Sequence, residues 1–312
     1  MPSPNITTLT LNPAIDRTVT IPGFTAGTVN RVEHTSDRAG GKGINVAAAL
    51  AGQGQAVAAL GFLGYDNEAA FTAFFKSRGI EDRCLRLPGQ TRVGIKITDP
   101  VRRETTDINF PGLSPSPRDL DALRAQLAVL SGGWCVLAGS LPPGVEPGIY
   151  REFITTLKTR GVRTVLDSSG EALREALGAA PDIIKPNIHE LEAHLGRELP
   201  TEADVIAAAR ELVAGGVKLV VVSRGAEGAC FVTADRAVIA RPPSVTVHST
   251  VGAGDAMVAG IVAAQILRLS LSECARLATS FALSALTCAD AAPDSQATVE
   301  AFLSRVQITD HT

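Results

Sequence analysis

A single carboxylate stands behind three small residues in the run Ser249-Thr250-Val251-Gly252-Ala253-Gly254-Asp255. The residues that follow, Ala256 to Ala264, are mostly good helix formers, so Gly252, Ala253 and Gly254 fall at a helix start. Backbone N–H groups there have no intrahelical partner, and the helix dipole adds to their pull on an anion. Small residues let a phosphoryl group come close to those amides. Asp255 would then stand where charge moves, able to take the proton of an attacking hydroxyl. The other reading is a glycine turn whose Asp merely caps the helix, and the run alone weighs the two evenly.

A second glycine cluster, Ala39-Gly40-Gly41-Lys42-Gly43-Ile44-Asn45-Val46-Ala47, leads into a helical stretch. It is not a Walker A loop, because Lys42 is followed by Gly43 and Ile44 and no hydroxyl is available for Mg²⁺. No GxGxxG fingerprint follows a strand either, which argues against a dinucleotide. Glycines beside Lys42 and Asn45 suit a polyol, with the Asn45 amide bonding hydroxyls and Lys42 supplying charge.

The elements that must position these residues follow from pattern and composition. The chain has 312 residues, 45% hydrophobic and 20% charged, enough to bury a large α/β core. Short aliphatic runs such as Trp134 to Ala138, Thr164 to Leu166, Asp182 to Ile184 and Leu219 to Ser223 alternate with amphipathic segments such as Pro147 to Arg160 and Ala203 to Ala214. That rhythm predicts a doubly wound, mostly parallel sheet flanked by helices. Ligands in such sheets sit beyond the carboxyl ends of the strands, where Gly139-Ser140, Asp167, Lys185-Pro186-Asn187 and Ser223-Arg224-Gly225 fall. Thr- and Val-rich stretches within about residues 17–36 and 91–111 lack an intervening helix, and predict a small antiparallel β lid that excludes water. An ordinary edge hairpin is the competing reading. A continuous extended stretch is expected from Ala240 to His248.

A net charge of −3 leaves no basic footprint for nucleic acid, so partners are expected to be small molecules. Five cysteines, Cys84, Cys135, Cys230, Cys274 and Cys288, have no CxxC pair and are expected to stay reduced. No signal-peptide pattern or membrane-length apolar stretch is present, and the expectation is a cytoplasmic protein with no membrane partner. The histidines His34, His189, His194, His248 and His311 lack the spacing of a metal site.

Together the two glycine signatures resemble the hallmarks of the ribokinase/PfkB carbohydrate kinases. The resemblance extends over Thr10 to Asp16, Gly139-Ser140-Leu141-Pro142-Pro143-Gly144, Val165 to Leu173, Lys185-Pro186-Asn187 with Glu190, and Ser223 to Gly228, nearly the whole chain. It implies one ribokinase-like kinase domain over 1–312. Within the family the phosphosugar branch is most similar, through Leu9 to Ala14, Gly61 to Asn67 and Thr105 to Phe110. The implied reaction is ATP-dependent phosphorylation of fructose 1-phosphate, with tagatose 6-phosphate or fructose 6-phosphate as alternative acceptors. A regulator that binds a sugar phosphate without transfer is the distant alternative, disfavoured by the intact Asp255.

The resemblance also assigns roles. Asp255 matches the general base, and the amides of Gly252, Ala253 and Gly254 the anion hole for the γ-phosphoryl group. Asn12, Asp16, Gly40, Gly41, Asn45 and Ser140 match the sugar pocket, with Arg92 and Lys42 on the sugar's existing phosphate. Lys185, Asn187, the turn Ser223-Arg224-Gly225-Ala226-Glu227-Gly228 and the Thr250-Val251 edge match the ATP site. Asn187 and Glu190 would arrange Mg²⁺ through water. Apart from the resemblance, the apolar exposed faces of a small lid sheet lead to the expectation of a homodimer through the lid. Without the resemblance, Asp16 reads as a turn residue, Arg92 as a solvated edge residue and Glu190 as an exposed first-turn acid. Asp167, before Ser168-Ser169, reads as a helix cap and stays outside the catalytic set. Arg224 stands where the branch usually carries an aliphatic residue, and either contacts phosphate or points to solvent.

Overall fold

A computed structural model describes residues 5–287 and 296–311. In chain order its strands are Ile6–Thr10 (β1), Ala14–Thr20 (β2), His34–Gly40 (β3), Val57–Gly64 (β4), Glu81–Asp82 (β5), Leu85–Leu87 (β6), Val93–Asp99 (β7), Glu104–Ile108 (β8), Trp134–Ala138 (β9), Arg163–Asp167 (β10), Ile183–Ile184 (β11), Leu219–Ser223 (β12), Ala229–Val232 (β13), Ala237–Arg241 (β14) and Gln307–His311 (β15). Its helices are Lys42–Gly52 (α1), Ala69–Arg78 (α2), Pro117–Ala128 (α3), Ile149–Thr159 (α4), Gly170–Leu177 (α5), Ile188–Leu195 (α6), Glu202–Ala214 (α7), Ala253–Ile266 (α8), Leu271–Thr287 (α9) and Gln296–Leu303 (α10).

β1, β4 and β9 are buried along their whole length, as strands covered on both faces must be. They belong to a large sheet ordered β15-β14-β13-β12-β11-β10-β9-β1-β4-β5, with β6 also beside β4. From β5 to β12 every pairing is parallel, and β13 to β15 extend the sheet antiparallel. Alternate residues of each strand feed two cores. Ile6, Val136 and Val165 join α1, α2, α8 and α9 on one face, whereas Leu9, Leu137 and Leu166 join α3 to α7 on the other. That is the doubly wound arrangement the β–helix–β rhythm predicts. Gly260 lets α8 and α9 close on each other, since a Cβ there would lie 2.6 Å from Ala278 Cα.

Four strands stand apart as a second sheet, ordered β3-β2-β7-β8. Each hairpin, β2-β3 and β7-β8, is antiparallel, while the seam between them, β2 with β7, is parallel. Strand alternation splits its faces. Asp16 pairs across to Arg38 on one side and Gly94 on the other, forming a polar face, while Val19, Ile21 and Ile97 cluster on the opposite face.

The extended stretch expected from Ala240 to His248 is strand only as far as Arg241, and residues 242–250 are irregular. Pro242 and Pro243 supply no backbone donor, so the ladder stops before them. Among the described residues no helix is long and apolar enough to cross a membrane. Cys84, Cys135, Cys230 and Cys274 are free thiols, and Cys288 lies outside the described residues.

Candidate active site

Gly252 is the N-cap of α8, in a left-handed conformation (φ 78°) that favours glycine, and Ala253 and Gly254 open the helix. Asp255 follows in the first turn and is 7% exposed. The start of α8 carries no side-chain cap. The Asp255 carboxylate instead accepts from Asn45 Nδ2 at 2.8 Å, which favours the chemical reading of the run over the capping one.

Asn45 is presented by α1, whose own N-cap Gly41 has φ 123°. A Cβ on Gly40 would lie 2.0 Å from Asp16 Oδ2, so glycine there makes room for the small sheet's carboxylate at the core. Lys42 begins α1, and its Nζ sits 3.1 Å from Asp167 Oδ1. Lys185, just past β11, places its Nζ 3.5 Å from the same oxygen. A Cβ on Gly254 would lie 3.5 Å from Lys185 Nζ, so that ammonium stands close to the start of α8.

These charges set the proton affinities. Burial, and then the charge of Asp167, lift the Asp255 carboxyl to about 6, against the pull of Asn45, Lys42 and Lys185. Burial disfavours the charged form of Lys42, but Asp167, Asp255 and Glu190 together outweigh it and raise its proton affinity. An acid poised near neutrality beside a bank of amides and ammonium groups can accept a proton from an alcohol and stabilise a phosphoryl group in flight.

The residues expected at the sugar come from strand ends. Asn12, just after β1, donates to Ser140 Oγ at 3.2 Å, and the Gly139 carbonyl is held by Tyr150 and Ser168, both at 3.1 Å. A cleft of about 440 Å³ runs from Asn12 and Ser140 toward Ser168, Ser169 and Glu171. Arg92 donates to the carbonyls of Phe110 and Asn12, both at 3.3 Å, and shares its electrostatic neighbourhood with Asp16. Burial raises the Asp16 carboxyl above its usual range, opposed by Arg92, Arg38 and Lys96. Arg92 and Lys42, expected on one phosphate, thus sit in different surroundings: Arg92 by Asp16, Lys42 by Asp167, Asp255 and Glu190.

Among the residues expected at the nucleotide, Asn187 bridges to Ser223, and Ser223 N donates to the Pro186 carbonyl at 3.1 Å, drawing the ends of β11 and β12 together. Asn187 and Glu190 form the capping box of α6, each side chain bonding the other's backbone N–H at 2.8 Å. Gly225, Ala226 and Glu227 form an exposed 3₁₀ turn closed by Gly228. Thr250 is exposed, and Val251 N donates to Ser249 Oγ at 3.2 Å. Arg224 does not point to solvent. Its side chain is only 12% exposed, bonds Glu202 at 3.0 Å and pairs with Glu227, while Glu202 also holds Arg241 at 2.7 and 2.8 Å.

Sequence reasoning missed Asp167, Arg38, Lys96 and Tyr150. Arg38 and Lys96 were within reach of the period-two rule, since each lies two residues from a glycine packed against Asp16. Asp167 was not, because its partners are 125 residues upstream and 18 downstream.

The pfkB family carbohydrate kinase model matches residues 9–298. A 1-phosphofructokinase of Rhodobacter capsulatus is 52% identical over 284 residues, 90% of each chain. Another from Escherichia coli K12 is 41% identical over 309 residues, 98% of each chain. The tetrameric inhibited form of phosphofructokinase-2 from Escherichia coli superposes with a TM-score of 0.89 at 31% identity, over 96% of this chain and 98% of the other. With the glycine-framed Asp255 and its cationic surroundings, these likenesses make this chain a phosphotransferase that belongs to the pfkB family of carbohydrate kinases.

Proposed function

We propose that the enzyme transfers the γ-phosphoryl group of ATP to the C6 hydroxyl of fructose 1-phosphate, giving fructose 1,6-bisphosphate and ADP. The observation that carries this reading is the 52% identity to a 1-phosphofructokinase over 90% of the chain. The geometry around Asp255 supports the same chemistry.

Asp255 takes the hydroxyl proton as the sugar oxygen forms its bond to the γ-phosphorus and the bond to the β,γ-bridging oxygen breaks. The amides of Gly252, Ala253 and Gly254 receive the charge on the phosphoryl oxygens. Asp16, Asn12, Asn45 and Ser140 orient the sugar, and Arg92, with Arg38 and Lys96 close to Asp16, faces its existing phosphate. Lys185, the turn from Ser223 to Gly228 and the Thr250-Val251 edge hold ATP. No cluster of three metal-ligating side chains exists among the described residues. Asn187 and Glu190, each with one oxygen engaged in the helix cap, fit a Mg²⁺ carried on the ATP phosphates and reached through water. When bound, that ion neutralises phosphate charge.

We read residues 1–312 as one kinase domain with the four-stranded sheet as its lid. Val29, Val32, Val101, Ile108 and Phe110, at or beside the lid strands, are exposed, and support a homodimer formed through the lid. The free thiols and the use of ATP suit a cytoplasmic enzyme.

ADP release measured against fructose 1-phosphate, fructose 6-phosphate, tagatose 6-phosphate, free fructose and adenosine tests the assignment. Fructose 1-phosphate is expected to give the highest kcat/KM. A higher value for either 6-phosphate would reassign the acceptor, and no transfer to any phosphosugar would overturn the proposal.

A further inference from the structure

Asp167 ends β10, and its side chain is 1% exposed. Both ammonium groups, of Lys42 and Lys185, rest on its Oδ1, at 3.1 and 3.5 Å, and its Oδ2 is buried with no hydrogen-bond partner among the described residues. An ammonium has three donors, so each lysine keeps others free. Lys185 Nζ lies 3.5 Å from where a Cβ on Gly254 would sit, at the start of α8, and Lys42 shares its surroundings with Asp255 and Glu190. On the proposed reading the sugar's existing phosphate meets other cations, since Arg92, Arg38 and Lys96 lie near Asp16. Two ammonium groups tied to one buried oxygen match the charge spread over the equatorial oxygens of a phosphoryl group in flight, and tying them in advance removes the reorganisation otherwise needed at reaction.

We propose that Asp167 is a positioning residue clamping Lys42 and Lys185 as a pair onto the transferring phosphoryl group, and that Lys42 is a catalytic residue of the transfer, not an anchor for the sugar's existing phosphate. The inference rests on the reading of the chain as a phosphosugar kinase. The clamp also joins the glycine loop at α1 to the nucleotide side at β11, so both halves of the site converge on one carboxylate.

The test compares wild type with Lys42→Met, Asp167→Asn and the double variant, varying each substrate at a saturating concentration of the other, with the fold followed by circular dichroism. Lys42→Met is expected to lower kcat about a hundredfold with the phosphosugar KM within about twofold of wild type. Asp167→Asn is expected to lower kcat at least about tenfold, and the double variant to fall little below the worse single one, because both changes disable one device. Binding of AMP-PNP and of ADP gives a readout without turnover: Lys42→Met should weaken AMP-PNP more than ADP, since only the former carries the γ-phosphoryl group. Unchanged kcat with a raised phosphosugar KM in Lys42→Met would overturn the proposal, as would additive losses or recovery of Asp167→Asn in excess Mn²⁺. If Asp167→Asn fails to fold, Lys42→Met and its nucleotide affinities still decide. A wild-type enzyme inert toward every phosphosugar would overturn the reading of function instead, leaving the AMP-PNP to ADP ratio to judge the clamp.

Discussion

Asn45 Nδ2 donates to Asp255 Oδ2 at 2.8 Å across 210 residues of sequence, and α1 packs against α8 to hold the two together. The bond favours the ionised carboxylate and so works against the burial that lifts Asp255 to about 6. Because the base must be deprotonated, kcat/KM is expected to fall as pH drops through about 6. Asn45→Leu removes the stabilising donor while Asp167, Lys42 and Lys185 remain. Its acid limb should therefore move to higher pH, with kcat lowered about tenfold or more. A pH profile of both enzymes checks this, and an unmoved limb would separate Asn45 from the base.

Asp255→Asn should cut kcat by about two to four orders of magnitude while nucleotide binding persists. The same change is expected to stabilise the protein. A carboxyl whose affinity is raised from 3.8 to about 6 makes the folded state bind more protons than the unfolded one in that window, so stability falls as pH rises through it. Above it the cost is fully present, and asparagine removes it, for a gain of about 1 to 3 kcal/mol near pH 8. Thermal unfolding at pH 4 and pH 8 measures it: the gain should appear at the higher pH and shrink at the lower.

Arg92→Ala should raise the phosphosugar KM about tenfold or more and leave the ATP KM within about twofold, the loss of a charge-assisted contact to one substrate only. Steady-state kinetics with each substrate varied gives the split. Equal changes in both constants would place Arg92 outside the phosphate site.

Arg224→Met keeps bulk and removes the guanidinium that ties the nucleotide turn to Glu202 and Glu227. Because Glu202 and Glu227 hold Arg224 against the turn, the ATP KM is expected to rise about three- to tenfold with kcat and the phosphosugar KM unchanged. Glu202→Gln, which loosens Arg224 and Arg241 together, should do the same. A drop in kcat in both variants would instead put Arg224 at the phosphates.

The parts of the site written in consecutive residues were legible. Gly252 to Asp255 and Gly40 to Asn45 pair small residues with good helix formers, and both occupy helix starts. The alternation of buried strands and helices also carried over, because burial on both faces leaves unbroken aliphatic runs. What was hidden depends on partners far away. Asp167 beside two serines looks like a cap, yet Ser169 is the N-cap of α5 and makes no side-chain bond, while Asp167 faces two lysines from other strand ends. Arg224 looked like a free cation on a turn because Glu202 and Arg241, its neighbours in space, sit on α7 and β14. Nothing in the alternation of Ala14 to Thr20 or Val93 to Asp99 tells that these strands run parallel to each other.

That parallel seam bears on how the enzyme can change. The two hairpins lie at residues 14–40 and 93–108, with α1, β4 and α2 between them, yet neither completes the small sheet alone. Such a sheet cannot be traded as a cassette. Transplanting it takes two simultaneous splices, and either one alone exposes an open strand edge that invites a foreign strand. Acceptor preference written on that sheet must therefore shift one residue at a time, in step with the core that threads between its halves.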